Sequence, residues 1–227
     1  MIVQHFSPIM RECRTLIGHG LMLLIALGLS IGASIQPHFP GDLTVARWIQ
    51  SFGTSRLDTF MESVSYMGGR PISTASIVVL AVGFALARRW QAAITFLGVF
   101  AMNGLLAAIK WAVDRPRPSQ ELVRVMEETF SNGSFPSGHA YYVMLFYGLV
   151  LVLVVTSIFP TWLRRGITLL LLVWILLSGV SRVYLGAHWP SDVLGSLALG
   201  IPSVALLFYF YQRLKRTGLA FKNSDSL

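Results

Sequence analysis

Residues 140–159 read AYYVMLFYGLVLVLVVTSIF, which is twenty residues without one charged side chain. An α-helix of about twenty apolar residues spans the hydrocarbon core of a bilayer. Five more runs of the same character lie at residues 15–35, 72–87, 92–111, 166–184 and 193–211. The pattern predicts an all-α, polytopic membrane protein with six transmembrane helices in one bundle, and a single domain over residues 1–227.

The composition of the whole chain indicates the same class. Of its 227 residues, 54% are hydrophobic and 12% are charged, about half of the charged share of a soluble domain. That composition excludes a soluble globule and a disordered chain. Cys13 is the only cysteine, so an intrachain disulfide and a multiple-cysteine zinc site are also excluded. The run at 15–35 is longer than the core of a secretory signal peptide, which favours a retained helix.

The net charge of +8 comes from basic residues placed at the ends of the apolar runs. They form no stripe with interleaved aromatic residues, so the charge does not indicate a nucleic-acid partner. With six spans, ten of the 18 basic residues lie on the side of both termini, in short tails and tight turns. The positive-inside rule therefore predicts a protein of the plasma (inner) membrane with cytoplasmic termini.

Polar residues stand at the ends of four predicted spans, and a position at the membrane surface alone does not explain their residue types. An even number of crossings separates these ends, so they face the same water layer, which the charge rule makes the outer one. Three cations, two histidines and one carboxylate predict an anion site there, because the cations would repel a divalent metal ion. The residues are Lys110, Arg117, Ser137, Gly138, His139, Ser181, Arg182, His188 and Asp192.

The spacing of these residues identifies a protein family more specifically than any single residue does. Lys110 is followed after six residues by Arg117-Pro118, then by Pro136-Ser137-Gly138-His139. Ser181-Arg182 is followed after five residues by His188 and after three more by Asp192. These three motifs, within residues 110–192, resemble those of the type 2 phosphatidic acid phosphatase family. The resemblance implies a metal-independent lipid phosphatase that needs no cofactor and forms a phosphohistidine.

The resemblance also implies a role for each residue. His188 is the expected nucleophile, and His139 is the expected general acid for the leaving oxygen and then base for water. A helix beginning at Pro190 would place Asp192 in its first turn, within reach of one ring nitrogen of His188. The expected phosphate-binding residues are Lys110, Arg117, Ser137, Gly138 and Arg182. Ser181 either supports Arg182 or touches phosphate.

The residues indicate the type of reaction more clearly than they indicate the substrate. The family implies undecaprenyl diphosphate, phosphatidic acid, phosphatidylglycerophosphate or lipid A as candidates, held among membrane lipids. An outward-facing site favours undecaprenyl diphosphate, with Arg115 and Arg124 as contacts for its second phosphate, although solvated loop charges explain both arginines equally well. A lipid phosphotransferase and a non-hydrolytic phospholipid transporter are the alternatives of another class, and vanadium-dependent haloperoxidases share the phosphate-site pattern.

Two long connections, 36–71 and 112–139, lie on the predicted active-site side. Within the second, residues 119–130 carry Leu122, Val125, Met126 and Phe130 at helical spacing, with charged residues between them. This spacing predicts a short amphipathic helix at the membrane interface. The polar residues 222–227 are predicted to form a disordered tail.

Overall fold

The structure, a computed structural model, describes the backbone of residues 3–126 and 132–216 and the side chains of residues 15–69, 71–126 and 132–216. Within these ranges the regular structure is entirely helical, which confirms the predicted fold class. The helices are α1 (Val3–Ile35), α2 (Asp42–Ser51), α3 (Ser55–Gly68), α4 (Arg70–Leu86), α5 (Trp90–Val113), α6 (Gly138–Val155), α7 (Thr161–Tyr184) and α8 (Pro190–Arg216).

Five of these helices are long and apolar enough to cross a bilayer: α1 over residues 15–35, α5, α6, α7 and α8. A sixth span is formed if α3 and α4 are taken together, since they meet at a bend of 40°. The predicted span at 72–87 is therefore the second half of a bent helix pair. The predicted span at 140–159 is four residues too long, because α6 ends at Val155 and Pro160 precedes α7.

Large apolar side chains are exposed on the outward faces of the long helices. Leu24 of α1, Val79 of α4 and Leu170 of α7 are each about two-thirds exposed. In water such surfaces would favour aggregation, whereas in a bilayer they contact lipid tails at no cost. These faces are the lipid-facing surface of a multi-pass membrane protein.

Helix α6 lies at the centre of the bundle and packs closely on α8. A Cβ atom at Gly200 of α8 would lie 2.6 Å from Cγ of Met144, and one at Gly148 of α6 would lie 2.8 Å from Cγ2 of Val204. Glycine at both positions allows the two backbones to approach, as small residues do in membrane helix pairs. The approach brings the first turns of α6 and α8 side by side.

The predicted amphipathic helix at 119–130 is wrong over residues 119–126, which form a turn followed by residues without regular secondary structure. The Leu122 and Val123 N–H groups donate to the Ser119 carbonyl, and the backbone beyond them bonds to other elements. Gln50 of α2 accepts from the Arg124 N–H and donates to its carbonyl, and the Met126 N–H donates to the Leu185 carbonyl. Residues 127–130 and the predicted tail 222–227 lie outside the described residues.

The connection 36–71 is helical for most of its length, which the apolar pattern does not predict. It forms α2 and α3, and α2 covers the ends of α7 and α8. Ala46 of α2 is buried with Val123, Val183 and Trp189. This packing closes one side of the region where the motif residues meet.

Candidate active site

The motif residues come together at one end of the bundle. Lys110 lies in the last turn of α5 and Arg182 in the last turn of α7. Gly138 is the first residue of α6, and Asp192 lies in the first turn of α8. The two helix starts are joined directly, because the Ser137 N–H donates to the Asp192 carbonyl at 3.2 Å. The ends of α5, α6 and α7, with His188 from the loop before α8, border a cavity of about 1090 Å³.

His188, in the loop between α7 and α8, is held by both ring nitrogens. Its Nδ1 lies 3.5 Å from Oδ2 of Asp192 and 3.4 Å from Oγ of Ser134. Its Nε2 lies 3.3 Å from a guanidinium nitrogen of Arg117, which lines the cavity. Burial lowers the pKa of His188 to about 3, although Asp192 opposes this shift. The imidazole is therefore neutral at physiological pH, and an acceptor at Nδ1 leaves the lone pair on Nε2.

Asp192 is fully buried and makes several hydrogen bonds. Its Oδ2 accepts from the Ser134 hydroxyl and, at 2.8 Å, from the Trp189 N–H. Its Oδ1 accepts from Arg115 at 2.5 Å. Such bonds keep a carboxylate ionised in a buried place. The observed geometry agrees with the predicted reach of Asp192 toward His188.

Arg115 joins Asp192 to a second buried carboxylate. Its other guanidinium nitrogen donates to Oδ2 of Asp42 at 2.9 Å, and its Nε donates to the Pro37 carbonyl at 3.2 Å. Asp42 also accepts from the backbone N–H and the hydroxyl of Ser191, at 2.9 and 2.7 Å. Arg115 is 1% exposed. The prediction that it contacts a second phosphate is therefore wrong, because its guanidinium is engaged inside the protein.

The three predicted phosphate-binding cations all line the cavity. Lys110 donates to the Gly133 carbonyl at 2.6 Å, and Arg182 donates to the hydroxyl of Ser65 in α3. Arg117 is held by the carbonyl and the side-chain oxygen of Asn132, at 3.1 and 2.9 Å. These carbonyl, amide and hydroxyl oxygens position the three cations at the cavity. Their combined positive potential favours an anion in the cavity.

His139, in the first turn of α6, faces the same cavity. Its Nε2 is buried and has no hydrogen-bond partner among the described residues. A Cβ atom at Gly68, the last residue of α3, would contact this nitrogen and would lie 3.1 Å from Cγ2 of Val143. The glycine at the bend between α3 and α4 thus lies against the imidazole of His139. An unpaired ring nitrogen in this place is suited to exchange a proton with a bound molecule.

Three other predicted site residues do not line the cavity. Ser137 is buried, and its hydroxyl accepts from the Ala140 N–H at 3.4 Å as the N-cap of α6. The Ser181 hydroxyl donates to the Ser178 carbonyl of its own helix at 2.8 Å. Arg124 forms a partly exposed ion pair with both carboxylate oxygens of Asp58. The predicted substrate contacts of Ser181 and Arg124 stay predictions, and the partners of both side chains here are protein groups.

A family comparison agrees with this arrangement. Residues 91–216 match the family model of the PAP2 superfamily. The chain belongs to the PAP2 superfamily. The predicted type 2 phosphatidic acid phosphatase resemblance is thereby confirmed, and this PAP2 protein is a phosphatase of lipid phosphates.

Individual PAP2 relatives share much of the chain. Phosphatidylglycerophosphatase B of Bacillus subtilis (strain 168) is 29% identical over 162 residues, which is 70% of this chain and 78% of the relative. Decaprenylphosphoryl-5-phosphoribose phosphatase of Mycobacterium tuberculosis (strain H37Rv) is 32% identical over 116 residues, 50% of this chain and 57% of the relative. The crystal structure of the PAP2 type phosphatidylglycerolphosphate phosphatase from Bacillus subtilis superposes with a TM-score of 0.75, 24% identity, and coverage of 87% of this chain and 98% of that one.

The PAP2 motifs did not indicate several residues that the structure places around them. Ser134 stands only two residues before the Pro136-Ser137-Gly138-His139 motif. This closeness in sequence was the one indication that Ser134 belongs to the site. Asp42 and Ser65 belong to the connection 36–71, far from the motifs in sequence, and no local pattern marks them. Ser134 and Ser65 contact the motif residues Asp192 and Arg182. Asp42 reaches Asp192 only through Arg115, and a pattern of spacing does not reveal such contacts.

Proposed function

We propose that this PAP2 protein hydrolyses the phosphate monoester of a membrane lipid through a phosphohistidine on His188, without a metal ion. The observation that carries the proposal is the pairing of His188 Nδ1 with Asp192 while Nε2 lies beside Arg117 at the cavity. In the first step Nε2 attacks phosphorus, the bond from phosphorus to the lipid oxygen breaks, and His139 gives that oxygen a proton. In the second step water attacks phosphorus, His139 takes its proton, and inorganic phosphate leaves.

The cations of the cavity support such a reaction electrostatically. Phosphoryl transfer proceeds with charge spread over three equatorial oxygens, which fixed positive groups stabilise. Lys110 in α5, Arg117 in the connection after α5 and Arg182 in α7 all border the cavity. The first N–H groups of α6, starting at Gly138, add the positive end of a helix dipole. The chain thus holds a nucleophile, an acid and an anion clamp around one volume.

The charge balance of the cavity favours a monophosphate. Three described cations border it together with the carboxylates of Glu62 and Asp114. The two arginines expected to bind a second phosphate, Arg115 and Arg124, are engaged with Asp42, Asp192 and Asp58. A diphosphate would therefore bring extra negative charge toward acidic groups. We accordingly propose a lipid monophosphate in place of undecaprenyl diphosphate, as the name of the Bacillus phosphatidylglycerophosphatase B also suggests.

Phosphate release by the purified protein tests the reaction. In detergent with EDTA, the wild type is expected to release inorganic phosphate from lipid monophosphates at least about tenfold faster than from a diphosphate of equal tail length. Metal chelation is expected to leave the rate unchanged, because the described cations already neutralise the phosphate. Loss of activity in EDTA, or a preference for the diphosphate, contradicts the proposal. Phosphate transfer to added diacylglycerol without release would indicate the phosphotransferase.

We also propose that the protein lies in the plasma membrane with both termini cytoplasmic and the cavity at the outer face. The support is the concentration of basic residues in the tails and short turns at the opposite end. In a Cys13→Ser background, a membrane-impermeant thiol reagent added to intact cells is expected to label Ser119→Cys, in the loop at the cavity end. Thr156→Cys, at the other end of α6, is expected to react only after the membrane is opened. The reverse labelling pattern would overturn the orientation.

A further inference from the structure

The cavity extends inward from the phosphate-binding cations toward the bilayer centre, and polar groups line this inner part as well. Asn103 of α5 and Tyr142 of α6 both border it. The half-buried Asn103 amide makes no hydrogen bond with any described residue. The Tyr142 hydroxyl is buried and lies near Thr74 of α4, outside hydrogen-bond geometry. Two polar groups without a hydrogen-bond partner among the described residues thus border one volume.

Helix register places these two groups at the same depth. Helices α5 and α6 run antiparallel, and a Cβ atom at Gly138 would lie 3.6 Å from both Leu106 and Lys110 side chains. Tyr142 lies four residues beyond Gly138, and Asn103 lies three residues before Leu106, so both are about one turn deeper. Asn103 is about 10 Å below Lys110 along the axis of α5. Phe100, Leu106 and Ala107 form the apolar part of the wall around them, and Thr74 of α4 adds a hydroxyl near Tyr142.

An amide and a hydroxyl at this depth are costly unless something hydrogen-bonds to them. Polar side chains within membrane spans usually face a cavity and mark a binding site or pathway. Burying such a group without a partner costs a few kcal/mol in general. A role as polar contact between helices does not account for Asn103, since it contacts no described polar partner. A bound molecule with hydrogen-bonding groups at this depth would satisfy both residues.

A lipid phosphate enters such a cavity with its phosphate at the cations and its tail toward the bilayer centre. In a polyprenyl phosphate, hydrocarbon begins directly beyond the phosphate oxygen. In a glycerophospholipid, a glycerol unit and ester oxygens lie between the phosphate and the tails. Only the second class presents hydrogen-bond acceptors one to two helical turns below the phosphate.

We propose that Asn103, with Tyr142 beside it, forms a subsite for the ester-linked glycerol unit of a glycerophospholipid monophosphate. This inference rests on the proposed phosphatase reaction and adds the residues that select among its lipid substrates. The Asn103 amide donates to an ester carbonyl, and the Tyr142 hydroxyl donates to a second acceptor of the same unit. The cations bind the phosphate of any lipid, whereas this subsite distinguishes an esterified glycerol from a plain hydrocarbon chain.

Three substrates in detergent test the subsite: dioleoyl phosphatidic acid, its ether-linked analogue without ester carbonyls, and a polyprenyl monophosphate. The readout is kcat/KM for phosphate release by the wild type and by Asn103→Leu, which keeps the side-chain volume. With phosphatidic acid, Asn103→Leu is expected to lose about tenfold, the effect of one hydrogen bond. With the ether and polyprenyl substrates it is expected to match the wild type within about twofold.

Thr95→Val serves as the matched control, because Thr95 lies on the same helix and its hydroxyl donates to the Gln91 carbonyl. It is expected to change no ratio between substrates. Equal losses by Asn103→Leu on all three substrates would show a structural role and overturn the subsite. Equal activity of wild type and Asn103→Leu on phosphatidic acid would overturn it while leaving the phosphatase reaction intact. Absence of phosphate release from every lipid by the wild type would reject the reaction itself, and the subsite with it.

Discussion

His188→Ala is expected to lose phosphate release by about four orders of magnitude or more, as removal of a covalent nucleophile does in other hydrolases. The physical reason is that Nε2 of His188 is the atom that we propose to attack phosphorus. His139 is near but lacks a carboxylate partner among the described residues, so it does not replace that atom. Phosphate release from phosphatidic acid by purified protein measures the effect.

The two histidines are separable by the choice of leaving group. With p-nitrophenyl phosphate, whose leaving group departs without a proton, His139→Ala is expected to retain the first step and to slow the second. It should therefore give a burst of p-nitrophenol and accumulate acid-labile, radiolabelled phosphoprotein. His188→Ala is expected to give neither. Phosphoprotein in His188→Ala but not in His139→Ala would reverse the two assignments.

A matched control for His188→Ala is His38→Ala. His38 lies outside the cavity, with its ring 5.3 Å from that of Trp189. The same chemical change there is expected to leave activity within about threefold of the wild type. Equal inactivation by both substitutions would point to a general loss of folding near Trp189 and would contradict the assignment of His188.

Arg115→Met is expected to cause the largest loss of stability of any single charged residue at the site. Arg115 lies between the buried carboxylates of Asp42 and Asp192, at 2.9 and 2.5 Å. Breaking a buried ion pair by removing one partner costs about 3–5 kcal/mol, because the remaining charge stays buried without compensation. We expect a clear fall in the thermal unfolding midpoint in detergent, and loss of activity on monophosphates and diphosphates alike.

Arg124→Met is the matched control for this prediction. Arg124 also pairs with an aspartate, Asp58, but its side chain is 42% exposed. Exposed ion pairs contribute at most about 1 kcal/mol, so the unfolding midpoint should change little. Adding Asp42→Asn to Arg115→Met is expected to recover part of the lost stability, since it removes one uncompensated carboxylate. A selective loss of diphosphate hydrolysis in Arg115→Met would instead restore the second-phosphate interpretation.

The sequence predicted those features that depend on a repeated or closely spaced pattern. Runs of about twenty apolar residues are long and uninterrupted, so five of the spans were predictable. The sixth was predicted without the bend between Gly68 and Arg70 that makes it a helix pair. We could also predict a cluster of Lys110, Arg117, Arg182 and His188. Helix ends on the same side of a membrane lie close together in one bundle, and these residues stand at or near such ends. Helix direction alone brought them to one end of the bundle.

Features that depend on contacts between distant segments were missed. Residues 119–126 have helical spacing, yet bonds from Gln50 to Arg124 and packing of Val123 against α2 outweigh the local preference. Arg115 was misread because it stands between the motif residues Lys110 and Arg117. Its partner Asp42 is 73 residues away in the chain, and nothing near Arg115 shows that a carboxylate will reach it.

The ion pairs of Arg115 also have a consequence for the order in which the protein is made. Asp42 leaves the ribosome first, Arg115 follows 73 residues later, and Asp192 comes 77 residues after that. Until α8 inserts, Arg115 has only one of its two counter-ions, and the segment carrying His188 has just been synthesised. The catalytic end is therefore completed last, and in an unfinished chain Arg115 is paired with one carboxylate in place of two.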